Sequence, residues 1–168
     1  MAKEASTGSG NEQYKKIHDL IKDIHVAMLT TEGSDGKLHS RPMATQEAEF
    51  DGSVWFLSRQ SSGKVTDIQH EANVNLAYSD SKHAFVTLSG KAEIQKDRKK
   101  IDELWNPLYK AWFPEGKDDP EITVIQVKVE DAEYWEAPSN AIVRNVKILS
   151  AAITGGNVSV GEHEKVSL

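Results

Sequence analysis

The sequence predicts a mainly β, α+β fold in which six or seven antiparallel strands form a small barrel with helices on its periphery. Short β-prone runs follow one another through hairpin-length links, and such links favour antiparallel pairing. Helical periodicity marks the start, the middle and one side of this strand set. The 168 residues suffice for one domain with one core. We therefore predict a flexible tail at 1–11, the barrel domain at 12–138 and an extension packing on it at 139–168.

The first half of the chain predicts one helix and three strands. They are the helix at 12–23 and the strands at 25–31, 38–48 and 54–57. The pair Asp51-Gly52 is typical of a tight hairpin turn and predicts pairing of the second and third strands. Pro42 lies inside the second strand and cannot donate to a ladder, so this strand should lie at an edge, carry a bulge or face a ligand.

The second half predicts two helices and further strands. A helix opens at 61–64, and strands are expected at 73–78, 84–94, 122–129 and 133–136. Asp97 is expected to cap the next helix. The predicted buried stripe of that helix consists of Ile101, Leu104, Trp105 and Leu108.

Composition and charge argue against several classes of protein. The net charge of −6 and the pI near 5.5 predict no nucleic-acid partner. The chain has no cysteine, which excludes disulfides and thiolate sites. Its six histidines are isolated in sequence, so no metal site is predicted. Neither a membrane-length apolar run nor a signal-peptide core is found, so we expect a cytoplasmic protein with no membrane partner.

The start of the helix after the third strand is a candidate anion site. Ser61 and Ser62 offer hydroxyl donors beside the free N–H groups of a helix N-terminus, which favours anions. Lys64 stands in the first turn, where the helix dipole disfavours a cation unless an anion binds there. Arg41 on a neighbouring strand could add a bidentate contact. A plain alternative stays open at this point: an N-cap, a solvated lysine and an arginine at the rim.

Four aromatic residues could pack or could bind a ligand. Trp55 and Phe56 point to opposite faces of one strand, so at least one of them belongs to the core. Trp112 and Trp135 fit no helical stripe and could cover a flat ring or form a dimer contact. Packing is the commoner role for such residues.

Several segments resemble the pyridoxamine-phosphate-oxidase-like FMN-binding split barrels, in particular the bacterial general stress protein branch. The resemblance covers roughly residues 17–138 and depends on the order and spacing of its parts. The matching segments are Arg41-Pro42-Met43, Trp55-Phe56-Leu57 with Ser61 and Lys64, Ser89-Gly90-Lys91-Ala92-Glu93, Asp97-Arg98, Glu103-Leu104-Trp105, 110–114, Asp118-Asp119-Pro120 and Glu133-Tyr134-Trp135.

The resemblance implies a split barrel that forms a homodimer with FMN at the subunit interface. The phosphate would be held by Arg41, Ser61, Ser62 and Lys64. The flavin ring would be lined by the backbone around Met43 and by that of Trp55, Phe56, Leu57 and Ser58. Pro42 would face the cofactor, and Trp112 and Trp135 would be partner-side or lid contacts.

The leading functional interpretation is an FMN-dependent oxidoreductase of unknown substrate in a general stress response. No catalytic acid or base is nominated. True pyridoxamine phosphate oxidases carry an Arg-x-His element after an aromatic-Trp pair, whereas Arg144-Asn145-Val146 lacks the histidine here, so vitamin B6 oxidation is not predicted. Two alternatives stay open: a flavin-binding, storage or sensing module without turnover, and the same barrel with deazaflavin or haem.

Overall fold

A computed structural model describes residues 10–46, 48–80, 84–136 and 162–168. Within these ranges the chain forms three α-helices, seven β-strands and two short 3₁₀ helices. The helices are α1 (Gly10–Ile21), α2 (Gly63–His70) and α3 (Arg98–Leu104), and the 3₁₀ helices are Pro107–Ala111 and Gly116–Asp118. The strands are β1 (Val26–Glu32), β2 (Leu38–Ala44), β3 (Ser53–Arg59), β4 (Asn73–Asp80), β5 (Ala84–Gln95), β6 (Ile122–Glu136) and β7 (Glu162–Ser167). None of the described helices is long and apolar enough to span a membrane.

The strands form one antiparallel sheet in the order β2-β1-β4-β5-β6-β3, with β7 added to β6. This arrangement is the split β-barrel of mainly β, α+β class, which confirms the predicted fold. Pro42 lies in β2 at one end of the sheet, where its missing N–H costs no ladder bond. The described part of the predicted extension is β7, and most of the rest of 139–168 lies outside the described residues.

The predicted hairpin between the second and third strands is wrong. β2 ends at Ala44, and β3 pairs with β6 instead of with β2. Gly52 lies in a bend before β3, with a φ of 98° that a residue with a side chain rarely adopts. The residues around Gly52 do not determine which strand pairs with β3. Burial determines it, because Phe56 and its neighbours pack in the core beside β6.

Two hydrophobic clusters hold the fold together, and β6 contributes to both. The larger cluster fills the barrel with side chains such as Leu29, Phe56, Leu76 and Leu88. The smaller one lies under α3 and contains Ile101, Leu104, Phe113, Ile122 and Val124. Because clusters lie on both of its faces, β6 is buried continuously from Ile122 to Ile125 and does not alternate there between buried and exposed residues. The strand also extends to Glu136, so the two strands predicted at 122–129 and 133–136 are one.

The predicted stripe of the third helix is right at Ile101 and Leu104 and wrong at Leu108. Asp97 caps α3 by accepting a hydrogen bond from the backbone N–H of Lys100 at 3.2 Å, as predicted. α3 ends at Leu104, because Pro107 disfavours helical backbone in the residue before it. Leu108 therefore lies on a 3₁₀ turn and is exposed, while Trp105 is half-buried against the smaller cluster.

Among the described residues, one face of the sheet carries exposed apolar side chains. Val26 and Met28 lie on the β1 part of this face, and Met28 is directly opposite Pro42 on β2. Phe85 on β5 pairs with Trp135 on β6 at the far side of the same face. Met28 is 40% exposed and Phe85 is 47% exposed. We refer to these four residues (Val26, Met28, Phe85 and Trp135) as the apolar sheet face.

Candidate functional site

The structure places Arg41 against the helix that carries Lys64, as the sequence predicted for an anion site: Nη2 of Arg41 lies 3.2 Å from Oδ2 of Asp67, one turn after Lys64. Arg41 lies on β2 and Lys64 in the first turn of α2. Partial burial lowers the pKa of Lys64, and the nearby guanidinium of Arg41 lowers this pKa further. In the part of the chain that the structure describes, the Lys64 ammonium has no carboxylate within ion-pair distance. Two adjacent cations, one half-buried and without a counter-ion, form an environment that favours an anion.

The start of α2 has free donors. Its N-cap residue is Ser62, whose side chain makes no capping hydrogen bond. The Ser62 hydroxyl instead lies 3.2 Å from the hydroxyl of Ser58, which is buried at the end of β3. The plain alternative, in which Ser61 is only an N-cap, is therefore wrong, because the N-cap position belongs to Ser62. The first N–H groups of a helix have no partner within the helix, and the positive end of the dipole of α2 lies at the same end as Lys64.

Ser61 is engaged by a carboxylate that sequence reasoning did not find. Its backbone N–H and its hydroxyl both donate to Oε2 of Glu121, at 3.3 and 2.6 Å. The Ser61 hydroxyl is the main cause of the lowered pKa of Glu121. Glu121 reaches Ser61 because β3 and β6 pair from Arg59 and Ile122 onwards. Such a long-range pairing leaves no local signal in the sequence.

Arg41 is held by two further residues that the sequence analysis did not select. Its Nη1 donates to the hydroxyl of Thr31, and its Nη2 donates to Oδ2 of Asp67 at 3.2 Å. The Thr31 hydroxyl in turn donates to the same carboxylate oxygen at 2.7 Å. Both residues could have been selected from the sequence. Thr31 is a polar residue at an inward position of β1, and Asp67 follows Lys64 by three residues, which places both on one face of α2.

The side chains of the predicted ring-lining segment belong mostly to the two clusters. Met43 and Phe56 are buried in the barrel, and Leu57 packs on the smaller cluster. The Trp55 ring lies under the Lys100 ammonium, 4.5 Å from the ring centroid. These side chains are therefore taken up by packing. The backbones of β2 and β3 remain available along one side, since each pairs with a single neighbour among the described strands.

The two tryptophans lie in different places. Trp112 is 57% exposed, and its carbonyl accepts a hydrogen bond from Nη1 of Arg59 at 2.9 Å. This contact places it near the link between β3 and α2 that contains Ser61, which we call the Ser61 corner. Trp135 lies near the far end of β6, about 40 Å along the strand from Ile122, and stacks on His163 with ring centroids 4.9 Å apart. The structure therefore does not bring Trp135 to the Ser61 corner of its own chain.

The chain resembles one family of known proteins along most of its length. The family model described as pyridoxamine 5'-phosphate oxidase like matches residues 12–159. Protein bli-3 of Neurospora crassa is 30% identical over 91% of this chain and 80% of its own length. General stress protein 26 of Bacillus subtilis is 28% identical over 73% of this chain and 88% of its own length.

Solved structures share the fold. A general stress protein 26 from Jannaschia matches with a TM-score of 0.74 at 21% identity, covering 94% of this chain and 99% of its own. A protein from Xanthomonas citri titled a general stress FMN/FAD binding protein matches with a TM-score of 0.66 at 28% identity, covering 77% of this chain and 92% of its own. By its family-model match and its curated relatives, the chain belongs to the pyridoxamine 5'-phosphate oxidase-like family, with relatives among the general stress proteins.

Proposed function

We propose that this protein is an FMN-dependent oxidoreductase that works as a homodimer with FMN at the subunit interface. The observation that carries the proposal is the half-buried ammonium of Lys64, which lies beside Arg41 at an uncapped helix start with no carboxylate within ion-pair distance in the described chain. A phosphate monoester supplies the missing negative charge, and its oxygens accept hydrogen bonds from guanidinium, ammonium, hydroxyl and backbone N–H groups alike.

The donor set fits FMN. Arg41 and Lys64 supply the positive charge, Ser62 and the first N–H groups of α2 supply neutral donors, and Ser61 can turn its donors from Glu121 to the phosphate. Each of β2 and β3 has one side that no described strand pairs with, and these sides can offer amide groups to the polar edges of the flavin ring. Trp112 is exposed beside this corner and can cover the ring. The similarity to the Xanthomonas citri protein titled FMN/FAD binding supports a flavin as the ligand.

The flavin would supply the redox chemistry, accepting or donating a hydride or electrons. The residues of this chain bind and orient it, and no described side chain is assigned as an acid or a base. The oxidoreductase part of the proposal is supported by family membership. Arg144-Asn145-Val146, where the chain departs from true pyridoxamine phosphate oxidases, lies outside the described residues.

Titration with FMN and with riboflavin tests the ligand. We expect the protein to bind FMN at least about tenfold more tightly than riboflavin, because each charge-assisted hydrogen bond to the phosphate contributes about 1.5–3 kcal/mol. Quenching of flavin fluorescence measures both dissociation constants. Equal affinities would contradict the phosphate site, and no binding of FMN would refute the proposed function.

Anaerobic reduction of the FMN-loaded protein tests the enzymatic part. We expect NADH or NADPH to bleach the flavin absorbance at a rate well above that of free FMN in the same buffer. If both donors reduce the bound flavin only as fast as free FMN, the oxidoreductase function is contradicted. The protein would then be a flavin-binding module without turnover.

The apolar sheet face supports the homodimer. Exposed apolar residues that lie together on one face mark association surfaces, and this face carries Val26, Met28, Phe85 and Trp135. Trp135 lies far along β6 from the Ser61 corner. If it contacts FMN, it therefore does so from the partner subunit.

A charge on this face should separate the subunits. We expect Met28→Asp to give a monomer in light scattering at micromolar concentration, because a buried unpaired carboxylate is strongly unfavourable, whereas Met28→Leu should keep the dimer. The side chain is 40% exposed in the single chain, so the fold should survive in both variants, as circular dichroism can check. A dimeric Met28→Asp variant, or a monomeric wild type, would contradict this interface.

A further inference from the structure

Arg41 is anchored on the side facing the barrel by a small polar network. Thr31 and Asp67 contact two different nitrogens of the guanidinium, and they contact each other. Thr31 is almost fully buried, and the side chain of Asp67 is 13% exposed. Nδ1 of His39 approaches the same carboxylate oxygen at 3.5 Å from the solvent side. All the contacts of this carboxylate are therefore polar. Thr31, Arg41 and Asp67 form a closed set in which each side chain contacts the other two.

The network opposes a repulsion that would otherwise displace Arg41. Arg41 and Lys64 are like charges close enough for the arginine to lower the pKa of the lysine. Asp67 lies one turn after Lys64 on α2, so the same helix carries both the cation that repels the guanidinium and the carboxylate that attracts it. Hydrogen bonds from Thr31 and then from Arg41 hold the pKa of Asp67 below its usual range, which keeps the carboxylate charged.

The anchoring leaves donors free for a ligand. A guanidinium has five N–H donors in a rigid fork, and the contacts to Thr31 and Asp67 take one hydrogen from each terminal nitrogen. The remaining donors lie in the same plane. A guanidinium fixed in this way loses little side-chain freedom when an anion binds, so less of the binding energy is lost to ordering.

We propose that Asp67, together with Thr31, is a positioning residue for the phosphate site and fixes the guanidinium of Arg41 where it meets the phosphate beside Lys64. The inference rests on the proposed function and extends it to two residues that do not themselves contact the flavin. If the inference is right, Asp67 contributes to the binding of flavins that carry a phosphate and not to the binding of riboflavin. It makes this contribution through Arg41.

Four proteins test the inference: wild type, Asp67→Asn, Arg41→Ala and the double variant. We expect Asp67→Asn to weaken FMN binding by roughly tenfold, a typical size for coupled neighbours, and to leave riboflavin binding within about twofold of wild type. On the Arg41→Ala background the same substitution should cause no further loss of FMN affinity. A merely structural role for Asp67 would affect both flavins and would not depend on Arg41.

Thr31 provides a second, independent pair of variants. Thr31→Ser keeps the bridging hydroxyl and should bind FMN within about threefold of wild type, whereas Thr31→Val keeps the shape, removes the hydroxyl and should lose roughly as much affinity as Asp67→Asn. This pair decides the question even if Asp67→Asn fails to fold.

The possible outcomes separate the inference from the proposed function. FMN affinity equal to or tighter than wild type in both Asp67→Asn and Thr31→Val, equal losses for FMN and riboflavin, or an undiminished loss on the Arg41→Ala background would each overturn the positioning role while leaving the flavin site intact. A wild type that binds no FMN would overturn the proposed function and, with it, this inference.

Discussion

Replacing both Arg41 and Lys64 by alanine should weaken FMN binding by about a hundredfold or more. Each cation is expected to contribute about 1.5–3 kcal/mol to phosphate binding, and a tenfold change in affinity corresponds to about 1.4 kcal/mol. The two contributions share one ligand and repel each other in the free protein, so the sum should fall short of full additivity. Isothermal titration with FMN measures the loss, and titration with riboflavin should show almost none.

A matched control keeps the same change in net charge. Lys91 and Lys99 are exposed and lie on β5 and α3, away from the start of α2. The Lys91→Ala/Lys99→Ala variant should therefore bind FMN as the wild type does. If the control loses as much affinity as the test variant, the attraction is a general effect of charge and the assigned site is wrong.

Replacing Gly90 by alanine should destabilise the fold by about 3 kcal/mol or more. A Cβ at this position would lie 2.0 Å from the carbonyl oxygen of Lys128 and 2.9 Å from Cα of Val129. These are backbone atoms of β6, and they face the irregularity in β5–β6 pairing between Ser89 and Gly90. The clash can be relieved only by opening the pair of strands at the centre of the sheet.

Urea unfolding followed by tryptophan fluorescence measures the free energy of unfolding of this variant. Gly10→Ala is the control, because a Cβ there meets nothing within 4 Å and the residue is exposed at the start of α1. It should change the stability by less than about 0.5 kcal/mol. A Gly90→Ala protein within 1 kcal/mol of the wild type would show that the bulge relaxes more easily than this geometry indicates.

Local features of the fold were predictable because they depend on nearby residues. The helical spacing before residue 24, the cap at Asp97 and the edge position of Pro42 all follow from residue types and their order. Pairing over long distances was not predictable in the same way. The pair Asp51-Gly52 predicts a hairpin that does not form, because the strand that receives β3 depends on how Phe56 and β6 pack in the barrel.

The candidate site shows the same difference between features that depend on nearby residues and features that depend on long-range pairing. The pairing of Arg41 with Lys64 was expected from a resemblance and from the chemistry of a helix start, and the structure brings the two residues together. Asp67 could have been found from its three-residue spacing after Lys64, since both then lie on one side of α2. Glu121 could not, because it reaches Ser61 through the register of two strands that are more than 60 residues apart.

If the proposed site binds FMN, the contact between Ser61 and Glu121 makes the uptake of the cofactor an exchange of one anion for another. In the structure the Glu121 carboxylate already accepts hydrogen bonds from the backbone N–H and the hydroxyl of Ser61. An incoming phosphate then replaces hydrogen bonds instead of creating all of them, and it meets a like charge while doing so. On the proposed function, the loss of these two contacts and the repulsion from Glu121 would offset part of the affinity that the phosphate gains from its own hydrogen bonds.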